Sequence, residues 1–113
     1  MDITFNSTKL QKVCNSANAL RKKYGVKKAK KIQQRLIDLH AAETLEVITH
    51  LPPPRCHELK GNHKGKFTVD TDYPYRILFE PANEPLPLLA DGGIDKTKVT
   101  AICILDVNID THE

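Results

Sequence analysis

The chain has 113 residues, 40% of them apolar, with 17 Lys+Arg, 14 Asp+Glu, five His, three Cys and no Trp. That length suits one domain burying roughly two thirds of its unfolded surface and excludes a two-domain enzyme; no apolar run approaches the roughly 20 residues needed to cross a bilayer. The net charge of +3 hides a split, because residues 1–66 carry 14 Lys+Arg against 5 Asp+Glu whereas residues 67–113 carry 3 against 9.

Ile3-Thr4-Phe5 alternates and is β-prone, so a first strand is expected to end at the cap-forming Asn6-Ser7. Leu10, Val13, Cys14, Ala17, Leu20 and Tyr24 recur at spacings of three and four. This predicts one helix closed by Gly25 and makes Tyr24 a core residue, not a base-stacking one. A second helix is predicted over residues 26–40, with Ala29, Ile32, Leu36 and Leu39 inward and Lys27, Lys28, Lys30, Lys31 and Arg35 mostly outward. The two would form a helical hairpin. Between Arg21 and Lys31 stand seven basic residues and no acidic one, either a merely solvated face or an anion footprint.

A short helical turn over residues 43–49 should stop at Pro52-Pro53-Pro54, which remove donors and fix φ. Residues 55–60 and 66–70 alternate around the polar turn Gly61-Asn62-His63-Lys64-Gly65, the pattern of a β-hairpin. A further strand over residues 75–79 follows the Asp72-Tyr73-Pro74 turn. Residues 99–105, the most apolar, should form a central buried strand. Residues 81–98, with three prolines and Gly92-Gly93, describe a long excursion between two paired strands. The order predicts a single α+β domain over residues 1–113. Its N-terminal strand and helical hairpin would pack on one face of a mainly antiparallel four- to five-stranded sheet. Cys14, Cys56 and Cys103, odd in number and without a C-x-x-C pair, read as reduced core thiols. Because Met1-Asp2-Ile3-Thr4 lacks the regions of a secretory signal, a cytoplasmic location is expected.

The run Arg55-Cys56-His57-Glu58-Leu59-Lys60-Gly61 with Gly65-Lys66-Phe67, then Tyr75-Arg76-Ile77-Leu78-Phe79, then Ile109-Asp110-Thr111-His112, resembles the HigB or plasmid maintenance system killer branch of the RelE/ParE toxin superfamily. The likeness spans nearly the whole chain. It implies the toxin of a type II toxin–antitoxin pair, a ribosome-dependent endoribonuclease that cuts messenger RNA at the decoding site. Its partners would be the ribosome with its mRNA and a helix-turn-helix antitoxin, with operator DNA bound only through the antitoxin complex. No membrane partner is expected.

Metal-free RNA cleavage requires a base for the 2′-hydroxyl proton, positive charge near the pentavalent phosphate, and an acid for the departing 5′-oxygen. Histidine suits either proton-transfer role, since its unperturbed pKa of about 6.5 leaves both forms available near neutrality. The resemblance places His57 and His112 in the catalytic groove, with Asp110 orienting or charge-stabilising a neighbour. Arg76 opens an apolar strand, where a guanidinium needs a partner. A phosphate would be one, making Arg76 a transition-state clamp; the alternative is an ion pair with Asp70, Asp72 or Glu80. Arg55, Lys60, Lys64 and Lys66 could hold or steer the RNA backbone, although Lys64 equally suits a merely soluble turn. No cofactor is expected, and Cys56-His57 lacks a third and fourth ligand at usable spacing for zinc.

Members of this branch often end Asp-Tyr-His, and here Thr111 stands in the tyrosine's place. A threonine cannot stack on a base, so Phe67 or Tyr75 would have to supply stacking. Two other readings stay open: a ParE-like inhibitor that binds DNA gyrase without chemistry, and a catalytically silent antitoxin-binding regulatory subunit. The concentration of His57, Arg76, Asp110 and His112 opposes the first, and Thr111 motivates the second.

Overall fold

The computed structural model describes residues 1–110. In chain order its elements are β1 (Asp2–Phe5), α1 (Thr8–Cys14), α2 (Ala17–Tyr24), α3 (Val26–Ala41), β2 (His57–Glu58), β3 (Phe67–Asp70), β4 (Arg76–Pro81) and β5 (Ala101–Ile109). Single 3₁₀ turns stand at Leu45–Val47, Gly61–His63 and Lys96–Lys98. The strands form one mixed sheet in the order β1-β5-β4-β3-β2, in which only β1 and β5 run parallel. The expected α+β architecture is therefore present, with three helices and a five-stranded sheet among the described residues.

Strand alternation decides what each face carries. Phe67 and Val69 of β3, Ile77 and Phe79 of β4, and Ile102, Ile104 and Val107 of β5 are buried against Leu20 of α2 and Ala29, Ile32 and Leu39 of α3. Phe67 and Phe79 stack there with ring centroids 5.9 Å apart. Each such side chain contributes roughly 1.5–3 kcal/mol by leaving water. The intervening Thr68, Asp70, Arg76 and Leu78 point to the opposite face and are buried as well, so β3 and the first half of β4 are covered on both sides.

Several boundaries differ from the sequence reading. The predicted first helix is two, because Asn15 closes α1 and the Ser16 hydroxyl accepts from Ala19 N at 3.1 Å to start α2. Gly25, with φ +85°, then turns the chain directly into α3. Arg35 does not face outward: it lies between Ile32 and Leu39 on the inner stripe and is buried, donating from Nε to the Asp70 carbonyl at 2.8 Å. The hairpin strand predicted over 55–60 shrinks to His57–Glu58, since Arg55 has φ +45° and Cys56 N donates to Thr49 O instead of to a neighbouring strand. The last strand is longer than predicted, reaching Ile109 past register shifts against β4, and it is flanked by β1 and β4. Only one of its faces is deeply buried. The excursion over 82–95 does connect paired strands, tied by the Asn83 side-chain oxygen accepting from Thr100 N and Ala101 N. No helix among the described residues is long and apolar enough to cross a membrane.

All three cysteines are free thiols. Burial pushes the Cys56 and Cys14 thiols up to about 11. An unfolded thiol ionises near about 8.5, so the unfolded chain loses these protons first, and the stability present below that pH drains away as pH rises toward 11. Urea midpoints should therefore fall between about pH 8 and about pH 10.5, less steeply in Cys56→Ala. Replacing Ser16 by Ala should cost about 1 kcal/mol, read as a lower urea midpoint, because α2 loses its N-terminal acceptor.

Candidate functional site

The centre of the opposite sheet face is a carboxylate between two guanidiniums. Asp70 ends β3 and faces Arg76, its cross-strand partner on β4. Asp70 Oδ1 accepts from Arg76 Nε at 3.2 Å, and Oδ2 pairs with Arg55 Nη1 at 3.3 Å. Asp70 is 6% and Arg76 9% exposed, so both charges are largely out of water. The guanidiniums of Arg55 and Arg76 thus converge on one carboxylate. Arg76 has, through Nε, the ion pair with Asp70 that the sequence offered as an alternative to phosphate.

Arg55 comes to this carboxylate from a separate segment. Its positive φ is uncommon for a residue with a side chain and costs of order 1–3 kcal/mol, the kind of strain that persists where the surroundings hold it. Its backbone NH donates to Leu51 O, and its guanidinium carbon lies 5.7 Å from the centre of the Tyr73 ring. The Arg55 carbonyl receives His57 Nδ1 at 3.3 Å. A carbonyl can only accept, so this contact assigns the proton to Nδ1 and leaves Nε2 of neutral His57 as the basic nitrogen.

His57 is the register partner of Thr68, which in turn faces Leu78. His57 therefore shares the face of Arg76, two strands away, roughly 10 Å laterally. Between them the Thr68 hydroxyl is fully buried and has no hydrogen-bond partner among the described residues. A buried orphan hydroxyl costs about 1–3 kcal/mol, and it stands in the row that carries the histidine. At the other side Ile109 is the partner of Arg76 on β5, and the exposed Asp110 follows it directly. Thr111 and His112 lie outside the described residues.

Lys60 and Lys64 are exposed at the 3₁₀ turn Gly61–His63, and Lys66 is partly buried beyond it. They frame Glu58, whose Oε2 accepts from Gly65 N at 3.2 Å. This places them along β2, the edge strand, beside His57 and not around Arg76.

One expectation about stacking is corrected. Phe67 is 1% exposed and packed on Phe79 in the core, on the face opposite Arg76, and cannot meet a base. One ring face of Tyr75 is already occupied, with Lys28 Nζ 3.6 Å from its centre. Tyr24 is a core-packed residue as its spacing predicts, and burial, then Asp106 and Cys14, raise its phenol above the ordinary value.

Sequence reasoning missed three participants. Asp70 entered as one of three alternative partners, although its place at the polar end of Phe67-Thr68-Val69-Asp70, opposite Arg76 across a turn, was the distinguishing signal. Tyr73 was read only as a turn residue. Arg35 was assigned outward, yet its spacing of three from Ile32 and four from Leu39 puts it on the buried stripe. Among the described residues no group of three or more His, Cys, Asp or Glu is placed to hold a metal ion.

No family model, no curated protein and no solved structure matches this chain.

Asp70→Ala removes the shared partner of two guanidiniums, one of them buried. It should lower stability by about 3 kcal/mol in urea unfolding, more than an average surface substitution. Phe67→Ala should cost about 3–5 kcal/mol through cavity formation.

Proposed function

We propose that this chain is the toxin of a type II toxin–antitoxin pair of the HigB branch, acting as a ribosome-dependent, metal-free mRNA endonuclease. The observation that carries the reading is the Arg55–Asp70–Arg76 cluster on the same sheet face as His57, beside the β5 end that leads to Asp110. The motif run from Arg55 to Gly61, the Tyr75-Arg76-Ile77 strand and the Asp110-Thr111-His112 ending support it from the sequence.

In this reading His57 Nε2 takes the 2′-hydroxyl proton and the 2′-oxygen attacks the adjacent phosphorus. Negative charge grows on the phosphoryl oxygens, and the guanidinium of Arg76, steered by Asp70, meets it with N–H donors. The bond to the 5′-oxygen breaks as a proton is delivered to it, the role assigned to His112. Atoms balance without water or metal in this step, and the products are a 2′,3′-cyclic phosphate and a 5′-hydroxyl. Asp110 holds or charge-stabilises a neighbour in the same groove. Lys60, Lys64 and Lys66 steer the RNA backbone or the ribosome along β2.

The orphaned hydroxyl of Thr68 fits the same picture, since a site that binds a polyanion can leave a polar group to be completed by the ligand. Neutralisation by a helix-turn-helix antitoxin and repression of the pair's own operator by the complex complete the proposal. Location in the cytoplasm belongs to it too, because ribosomes are the substrate platform.

Mapping of mRNA 5′ ends after induction without antitoxin tests it. New 5′-hydroxyl ends should appear within translated frames only while ribosomes are active. Arg76→Ala should reduce cleavage by about 100-fold or more while the chain still captures its antitoxin. Intact mRNA with DNA breaks and a damage response would move the assignment to gyrase inhibition. No arrest at all would move it to a silent regulatory subunit.

A further inference from the structure

We infer that Tyr73 is a base-stacking platform, which with the Arg55 guanidinium captures one unstacked base of single-stranded RNA at the edge of the Asp70–Arg76 cluster. The inference deepens the nuclease proposal and rests on its reading of RNA as the ligand.

Tyr73 is 68% exposed, although it lies in a turn that is held from every side. Thr71 donates to the Tyr75 carbonyl through both its backbone NH and its hydroxyl, each at 3.1 Å, and Tyr75 N donates to Asp72 O at 3.0 Å. The Asp72 carboxylate is bridged by Lys27 and Lys31 of α3, and Lys28 covers the Tyr75 ring. A turn tied down this way presents its aromatic to solvent at little entropic cost, which is what a preformed contact residue requires.

The surroundings are matched to an RNA strand. Arg55 stands 5.7 Å from the ring and is itself anchored on Asp70, so its charge is fixed beside the aromatic face. Beside the turn, a groove of about 380 Å³ is lined by Lys27, Lys30, Lys31, Gln34 and Arg35; Lys27 and Lys31 share Asp72 and Arg35 pairs with Asp38, so Lys30 is its exposed cation outside those pairs. Positive charge that tracks a backbone, interrupted by an accessible aromatic, is the arrangement by which proteins hold unpaired nucleotides; a duplex, whose bases are already stacked, cannot use the ring. With Thr111 unable to stack, Phe67 buried and Tyr75 under Lys28, Tyr73 is the exposed aromatic next to the cluster among the described residues.

The test titrates the full chain with an eight-nucleotide single-stranded RNA and with a duplex of equal length. The chain has no Trp and three Tyr, so tyrosine emission reports binding, and comparison with Tyr73→Phe isolates the share of Tyr73. Single-stranded RNA should quench the wild type. Tyr73→Ala should bind it about tenfold to a hundredfold more weakly with duplex affinity unchanged, whereas Tyr73→Phe should keep affinity within about twofold while losing most of the quench. Equal single-strand affinity of Tyr73→Ala and wild type, equal loss on duplex, or no binding by the wild type overturns the inference. If the Tyr73 pattern holds while no mRNA is cut in cells, the platform stands and the nuclease proposal falls. If mRNA is cut while the Tyr73→Ala affinities match wild type, the nuclease proposal stands and the platform falls.

Discussion

The structure turns on how Asp70 is satisfied. Its carboxylate pairs with Arg55 and Arg76, and its carbonyl accepts from Arg35, so one residue receives guanidinium donors from three separate segments: the loop before β2, strand β4 and helix α3. Two of those arginines are nearly buried, and a buried guanidinium without a counter-charge is costly enough to unfold or rearrange its surroundings. Asp70 therefore does more than neutralise: its carbonyl ties α3 to the sheet, where Arg35 is also paired with Asp38, and its carboxylate holds Arg55 and Arg76. Arg55 in turn orients a part of the candidate site, since the Arg55 carbonyl sets the His57 tautomer and the Arg55 guanidinium flanks Tyr73.

What could be read from the sequence followed where a period was clean. Ala29, Ile32, Leu36 and Leu39 located α3 almost to the residue, and alternation located β3 and β4. Alternation also marked Arg76 as a charge in an apolar strand, so the key residue was legible even though its partner was not. Elsewhere local chemistry overrode the period. Asn15-Ser16 breaks an apparently continuous helix because a hydroxyl cap competes with helical backbone bonding. Arg55 abandons the strand pattern because its tertiary ion pair favours a left-handed backbone, which no alternation rule can express. Phe67 was ambiguous because a half-buried strand aromatic and a fully buried one look alike until the face of the sheet is known.

The charge split acquires structure as well. Not all of the basic surplus in residues 1–66 is displayed, since Lys27 and Lys31 share Asp72, Lys28 lies on Tyr75 and Arg35 is interior. One acidic residue of the second half, Asp72, thus helps to dock the basic helix onto the β3–β4 turn. What survives as display is Lys9 and Lys12 of α1, Arg21, Lys22 and Lys23 of α2, Lys30 of α3 and the turn after β2.

The parallel pairing of β1 with β5 sets a constraint in time as much as in space. β5 lies between β1 and β4, so β1 has no strand neighbour until β5 exists, and the first register pair joins Asp2 to Ala101. Closing contacts of such long sequence separation is slow, because the chain's entropy is surrendered before the pairing repays it. The β2–β3 and β3–β4 pairs join chain neighbours, so they can form before β5 is made, and until then β4 has an open edge. In chain order β5 is the last strand, so the pairing that sets Ile109 opposite Arg76 is the last to become available.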